Sequence, residues 1–285
     1  MKKIVFMADS GMDLPKDIIE KEEITIVPFI ISIGGKEYQD GINIQTKDLY
    51  DYVDKYNELP KTAAISPLVW KETFQPHIDN GDDIFVLTIG KEISSTNQNA
   101  NLAKGDFPEG RIEIVDSKAL SGSVALLMLK AIKFRKEGKT LQEITSLVKE
   151  IIPKVQTQFV IPSLDYLYKG GRCSGLTKFV GNMLAIKPQI KMIDGKMDVF
   201  KKSMGKISRA VDTMLEDFFE FANEDKLDLE NVIITHSIAD KMADYIKDKV
   251  LESKIPIENL YESQASSTIS THCGPGTIGI LYIEK

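Results

Sequence analysis

The chain has 285 residues, 42% hydrophobic and 27% charged, with a formal net charge of −6. That length and balance describe a globular protein with a well-buried core and room for two domains. The acidic balance argues against a general nucleic-acid binder, whose footprint would be basic, and the only cysteines, Cys173 and Cys273, imply no disulfide framework and suit a reducing cytoplasm.

In chain order, Ile4 to Met7 predicts a short buried strand ending at Asp9-Ser10-Gly11. The apolar run stops at Asp9, too early for the core of a signal peptide, and no later stretch approaches membrane-spanning length. Leu14-Pro15 opens a short helix. Ile24 to Ile33 reads as one strand, turned back by Gly34-Gly35 into Lys36-Glu37-Tyr38 as a hairpin. Thr46 is placed to cap a helix from Lys47 to Tyr56. Thr62 lies in a loop before a helix opened by Ser66-Pro67, with proline at its favoured first position. Asp83 to Ile89 is a buried strand, followed by Ser94-Ser95-Thr96 and a helix through Leu102. Ile112 to Val115 is a strand leading to Asp116-Ser117, then a long helix from Leu120 to Lys136. A helix from Thr140 to Ile152 stops at Pro153.

This alternation predicts an N-terminal α/β domain over residues 1–154, with a mostly parallel sheet covered by helices on both faces. Ligands of such sheets sit beyond the carboxyl ends of the strands. The remainder, 155–285, reads as an α+β domain. Phe159 to Ile161 is a strand and Leu164 to Leu167 a helical turn. Strands on either side of Asp194-Gly195 form a hairpin, and helices cover Ile207 to Asn223 and Ala239 to Leu251. Strands over Val232 to His236, Ile257 to Tyr261 and Ile280 to Ile283 complete it.

Several positions carry chemistry. His272 stands two residues before Gly274-Pro275-Gly276, where glycines beside a fixed-φ proline allow close backbone approach with amides free to donate. A tight turn with an exposed histidine fits the same residues. Three strands end in small polar groups, Asp9-Ser10, Ser94-Ser95-Thr96 and Asp116-Ser117, which suits either helix capping or a shared polar site. In Lys169-Gly170-Gly171-Arg172 the glycines let Arg172 project toward a phosphate or carboxylate, although no Walker pattern is present. His236 suits a structural role at a strand end, and His77 an exposed helix face. The histidines lack carboxylate partners at ligand spacing, so no metal or other cofactor is expected. Val180, Met183, Leu184, Ile186, Ile190 and Met192 fit either a core or an adaptable apolar tunnel.

Together these residues resemble the DegV family of bacterial lipid-binding proteins over essentially the whole chain. The specific elements are Leu164-Asp165-Tyr166-Leu167-Tyr168-Lys169-Gly170-Gly171-Arg172, then Lys187-Pro188, then His272-x-Gly-Pro-Gly. Ile93-Ser94-Ser95-Thr96-Asn97-Gln98-Asn99-Ala100 is similar to the family's L-S-G-T-Y-Q-S-A, with Ser95 for its glycine and Asn97 for its tyrosine. Thr62 and Ser66 match the ends of T-S-x-P-S, whose interior departs here. An arginine expected within residues 201–206 is missing.

The resemblance implies two α/β domains with a ligand cleft between them, holding a long-chain fatty acid in a buried tunnel. The implied carboxylate ligands are Thr62, Ser94, Ser95, His272 and Gly274. Lys169 and Arg172 would contact a partner or a phosphate. That partner is the catalytic subunit of a fatty acid kinase, which phosphorylates the presented acid with ATP for phospholipid synthesis. Transient contact with a membrane surface goes with such a role. On this reading the chain is a lipid-binding protein and not an enzyme. The alternative is a serine-dependent hydrolase or acyltransferase of fatty acyl substrates, with Ser94 as nucleophile and His272 as base. Against it, neither a G-x-S-x-G elbow nor an orienting carboxylate is evident.

Overall fold

The structure, a computed structural model, describes residues 2–172 and 186–285. Strand β1 (Ile4–Asp9) is apolar on both faces, as a central parallel strand must be, and α1 (Lys16–Lys21) leads to β2 (Thr25–Val27). The single strand expected over Ile24 to Ile33 is in fact two. Pro28 has no N–H to give a ladder, so pairing breaks there. β2 runs parallel to β1, whereas β3 (Ile30–Ile33) pairs antiparallel with β4 (Lys36–Gln39) through the expected hairpin.

Helix α2 (Thr46–Tyr56) begins one residue early, and Thr46 is not its cap. The Gln45 N–H donates to the Asp48 carboxylate, while the Thr46 hydroxyl donates to the distant Ala265 carbonyl at 2.9 Å. β5 (Lys61–Ala63), expected as a loop, completes a three-stranded sheet beside β3. α3 (Pro67–Asp79) starts as expected, with the Ser66 hydroxyl accepting the Val69 N–H. Then come β6 (Asp83–Thr88), α4 (Thr96–Lys104), β7 (Ile112–Asp116), α5 (Gly122–Lys136) and α6 (Leu141–Ile151). The order β2-β1-β6-β7 is a four-stranded parallel sheet.

The second half supplies β8 (Val155–Gln156), β9 (Gln158–Val160), α7 (Asp165–Lys169), β10 (Ile186–Ile193) and β11 (Lys196–Met204). It continues with α8 (Ile207–Asn223), β12 (Asn231–Ser237), α9 (Asp240–Glu252), β13 (Asn259–Gln264), α10 (Ser267–Cys273) and β14 (Thr277–Ile283). These strands form a seven-stranded sheet, β11-β10-β9-β14-β12-β13 with β8 beside β14, in which only β12 and β13 run parallel. β13 lies later than the expected Ile257 to Tyr261, because its register is set by β12, with Asn259 opposite Asn231.

Helix α5 packs against strands of both large sheets, which is why Val124 to Met128 is apolar without a polar face. Helix α10 has no counterpart in the sequence reading. Its serines and threonines are weak helix formers. It is held by tertiary bonds instead: the Ser266 hydroxyl accepts the Ile269 N–H, and the Asp40 carboxylate accepts the Ser267 and Thr268 N–H groups at 2.9 and 3.2 Å. A carboxylate at that end also suits the helix dipole.

Candidate functional site

The polar strand ends serve two different purposes. Asp9 accepts the Gly11 and Ile89 N–H groups at 3.0 and 2.8 Å. Asp13 accepts the Ser121 hydroxyl and the Ser266 N–H, and Asp40 accepts the Ser10 hydroxyl beside its two bonds to α10. Burial pushes the Asp9 and Asp13 carboxyls up to about 7. Asp116 accepts the Lys91 and Lys118 N–H groups. Asp9-Ser10 and Asp116-Ser117 are therefore loop braces whose carboxylates are engaged by the chain's own donors.

Ile89, Ser121 and Thr268, held by Asp9, Asp13 and Asp40, line a cavity between the carboxyl ends of the parallel strands and the seven-stranded sheet. Phe29, Ile89, Ile93 and Leu120 line it from the first half, and Phe159, Leu167, Met197 and Leu281 from the second. Helix α10 adds Thr268, Ile269, His272 and Cys273, a stripe at helical spacing. Ile186, Ile190 and Met192 are absent from this lining. Ile190 is fully buried in a core cluster with Phe159, Ile161 and Leu167, against which Met192 packs. Cys173, Val180, Met183 and Leu184 lie outside the described residues.

One end of the cavity is polar. The Thr62 hydroxyl and His272 Nε2 are 2.8 Å apart, and His272 Nδ1 is buried without a partner among the described residues. Burial, and then the nearby Arg172 charge, lowers the imidazole pKa to about 4, so it is neutral at pH 7. Arg172 is half-buried and donates to the Gly170 carbonyl at 2.7 Å and the Ile93 carbonyl at 3.5 Å. It has no carboxylate partner among the described residues. Ser94 accepts the Thr96 N–H at 3.2 Å, and its own O–H has no acceptor among the described residues. Ser94 and Arg172 also border an outer polar groove with Lys91, Ser95 and Lys196.

Two glycines clasp this end. A Cβ at Gly170 would lie 2.5 Å from His272 Nδ1, and one at Gly274 would lie 2.7 Å from the Tyr166 ring. The α7 segment and α10 thus approach at the two positions where a side chain is missing. The structure brings Thr62, Ser94, Arg172 and His272 together at the cavity. Ser95 is exposed in the outer groove, and Lys169 is exposed at the end of α7. The Gly274 and Gly276 amides, expected to be free, donate to the Ser270 and Ser237 carbonyls. Gly274 has φ +80° and serves the clasp.

His236 has the expected structural role at its strand end, accepting the Ala239 N–H at Nδ1, and it also lines the cavity. The sequence reading missed Thr268, Cys273 and Phe29. The first two become visible only once the Ser/Thr-rich segment is known to be helical. Among the described residues no serine triad is assembled: Nε2 of His272 bonds Thr62 and not Ser94, and none of them bonds Nδ1.

Such a fold and site define an α/β protein with an apolar cavity and a polar mouth. The family model described as "Uncharacterised protein, DegV family" matches residues 3–285, and the chain belongs to that family. A DegV domain-containing protein, TTE1491 of Caldanaerobacter subterraneus subsp. tengcongensis, is 32% identical over the full length of both chains. Among solved structures, a fatty-acid-binding DegV family protein from Thermus thermophilus superposes with TM-score 0.92 at 26% identity, covering 99% of this chain and 100% of that one. The fatty-acid-binding DegV family protein SAG1342 from Streptococcus agalactiae matches with TM-score 0.89 and 26% identity over 100% of both.

Proposed function

We propose that this chain binds a long-chain fatty acid in the apolar cavity and holds its carboxylate at Thr62, Ser94, Arg172 and His272. The observation that carries the reading is Arg172, a half-buried cation with no counter-ion among the described residues, beside a hydroxyl whose O–H has no acceptor among them and a neutral imidazole. A buried charge needs a partner, and a carboxylate supplies one. The apolar lining accounts for the rest: each buried methylene contributes about 0.8 kcal/mol before the costs of binding. The fatty-acid-binding relatives support the same ligand class.

The finer reading is that the protein works in the cytoplasm as a carrier. It collects the acid by transient contact with a membrane surface and presents the carboxylate to a separate ATP-dependent fatty acid kinase. The resulting acyl phosphate then feeds phospholipid synthesis. Arg172, bordering both the cavity and the outer groove, suits contact with the transferred phosphate or the kinase. Denaturing extraction of the purified protein followed by mass spectrometry tests the binding step. One fatty acid per chain is expected, and recovery of none, even after incubation with palmitate, overturns it. In a reconstituted kinase assay, Arg172→Ala is expected to slow acyl-phosphate formation; an unchanged rate removes Arg172 from that step.

A further inference from the structure

A second concavity, an open groove, lies beside the mouth across the turn Gly274-Pro275-Gly276. Gly274 packs on Tyr166 in the clasp. Gly276 lines the groove, where a Cβ would lie 3.0 Å from Pro162. The end of β12 divides in the same way: Ser237 lines the acyl cavity and Ile238 the groove. The two concavities are therefore neighbours.

The groove combines apolar walls with cations. Ile207, Ile238 and Met242 line it together with Lys187, Lys206 and Lys241, and Asp240 is the one acidic residue among the described residues of the lining. Lys187 Nζ donates to the Pro162 carbonyl at 2.8 Å, while Lys206 and Lys241 are exposed. None of the three has a carboxylate partner among the described residues. Met204, two residues before Lys206, is 67% exposed, more than any other large hydrophobic residue described. Apolar side chains at the surface beside unpaired lysines suit the boundary between head groups and acyl chains of a bilayer.

Ile238 is held in that surface at a cost. Its φ is +48°, a left-handed conformation that a β-branched residue rarely adopts. Bonds on both sides keep it there: the Ser237 carbonyl accepts the Gly276 N–H at 2.7 Å, and the Ala239 N–H donates to His236 Nδ1 at 3.1 Å. The residue is nonetheless 38% exposed, so burial within the chain does not fully offset the strain. Contact with a bilayer would cover it.

Charge selects the kind of bilayer. The chain carries a net −6, so an anionic membrane repels most of its surface, and a local group of lysines decides which face approaches. We infer that the groove is the face by which this protein docks on an anionic membrane surface. Lys187, Lys206 and Lys241 meet lipid phosphates there, and Ile238 and Met204 enter the head-group layer. This rests on the carrier reading above and names the surface on which the acid is collected, next to the mouth that receives it.

The test is co-sedimentation of the full-length protein with vesicles of phosphatidylcholine alone, or of an equimolar mixture of phosphatidylcholine and phosphatidylglycerol. Wild type is expected to bind the mixed vesicles at low salt, to be released by high salt, and to ignore phosphatidylcholine alone. Lys206→Glu/Lys241→Glu is expected to weaken that binding at least about tenfold. After delipidation it should still load palmitate as wild type does, read by native mass spectrometry. Ile238→Asn, which tolerates the same φ and removes the apolar contact, should weaken vesicle binding about threefold or more. Equal binding of mixed vesicles by wild type and the double variant, or no binding by wild type, overturns the assignment. A double variant that binds vesicles normally but slows a reconstituted kinase reaction overturns it too, and makes the groove a protein-docking face. Wild type that binds mixed vesicles but takes up no palmitate overturns the fatty-acid reading and leaves the docking face standing.

Discussion

Two polar clusters serve the same cavity, one bracing residues that line it and one lining its mouth, and they differ in one respect. Around Asp9, Asp13 and Asp40 every carboxylate accepts at least two bonds from the chain itself. Around Arg172, Ser94 and His272, a cation lacks a counter-ion, a hydroxyl lacks an acceptor and a ring nitrogen lacks any partner among the described residues. The first cluster is complete without a ligand and the second is not. Burial and polarity are common to both; unmet hydrogen-bonding capacity separates a brace from a binding site.

Mutations should divide along that line. The largest effect is expected for Asp40→Ala, which leaves the Ser10 hydroxyl and the Ser267 and Thr268 N–H groups unpaired at the start of α10. A loss of about 3 kcal/mol or more is expected in urea unfolding. A change below about 1 kcal/mol would mean that the brace does not hold the helix. Ser94→Ala should do the reverse, with stability within about 0.5 kcal/mol of wild type and fatty-acid affinity weakened about tenfold or more. Unchanged affinity would remove Ser94 from the mouth.

A further effect concerns acid stability. The pKa of His272 is about 4 when folded, below its ordinary value of 6.5. Between those values the unfolded chain binds the extra proton, so this stabilisation is present above pH 6.5 and is lost as pH falls toward 4. Bound carboxylate should reduce the loss, since it favours the charged ring.

The parallel sheet was legible because its strands are short apolar runs separated by capped helices, as at Ile4 to Met7 and Asp83 to Ile89. The mouth residues Thr62, Ser94, Arg172 and His272 were legible as a group only through family resemblance, since they come from four separated segments. What was hidden has a physical cause in each case. Pro28 divides a continuous β-type pattern into strands of different sheets. Helix α10 contradicts its own intrinsic preferences and exists through bonds from Asp40 and Ser266, so no local pattern reveals it. With α10 unseen, the stripe that carries Thr268 and Cys273 beside His272 could not be read.

The difference between the two clusters is tested most directly by NMR titration of His272 in delipidated protein, with and without one equivalent of palmitate. The ring is expected to titrate near 4 when the cavity is empty and at least about one unit higher with palmitate bound, because an anion beside it favours the imidazolium and offsets the Arg172 charge. A pKa that stays near 4 in the palmitate complex would contradict a carboxylate at this mouth.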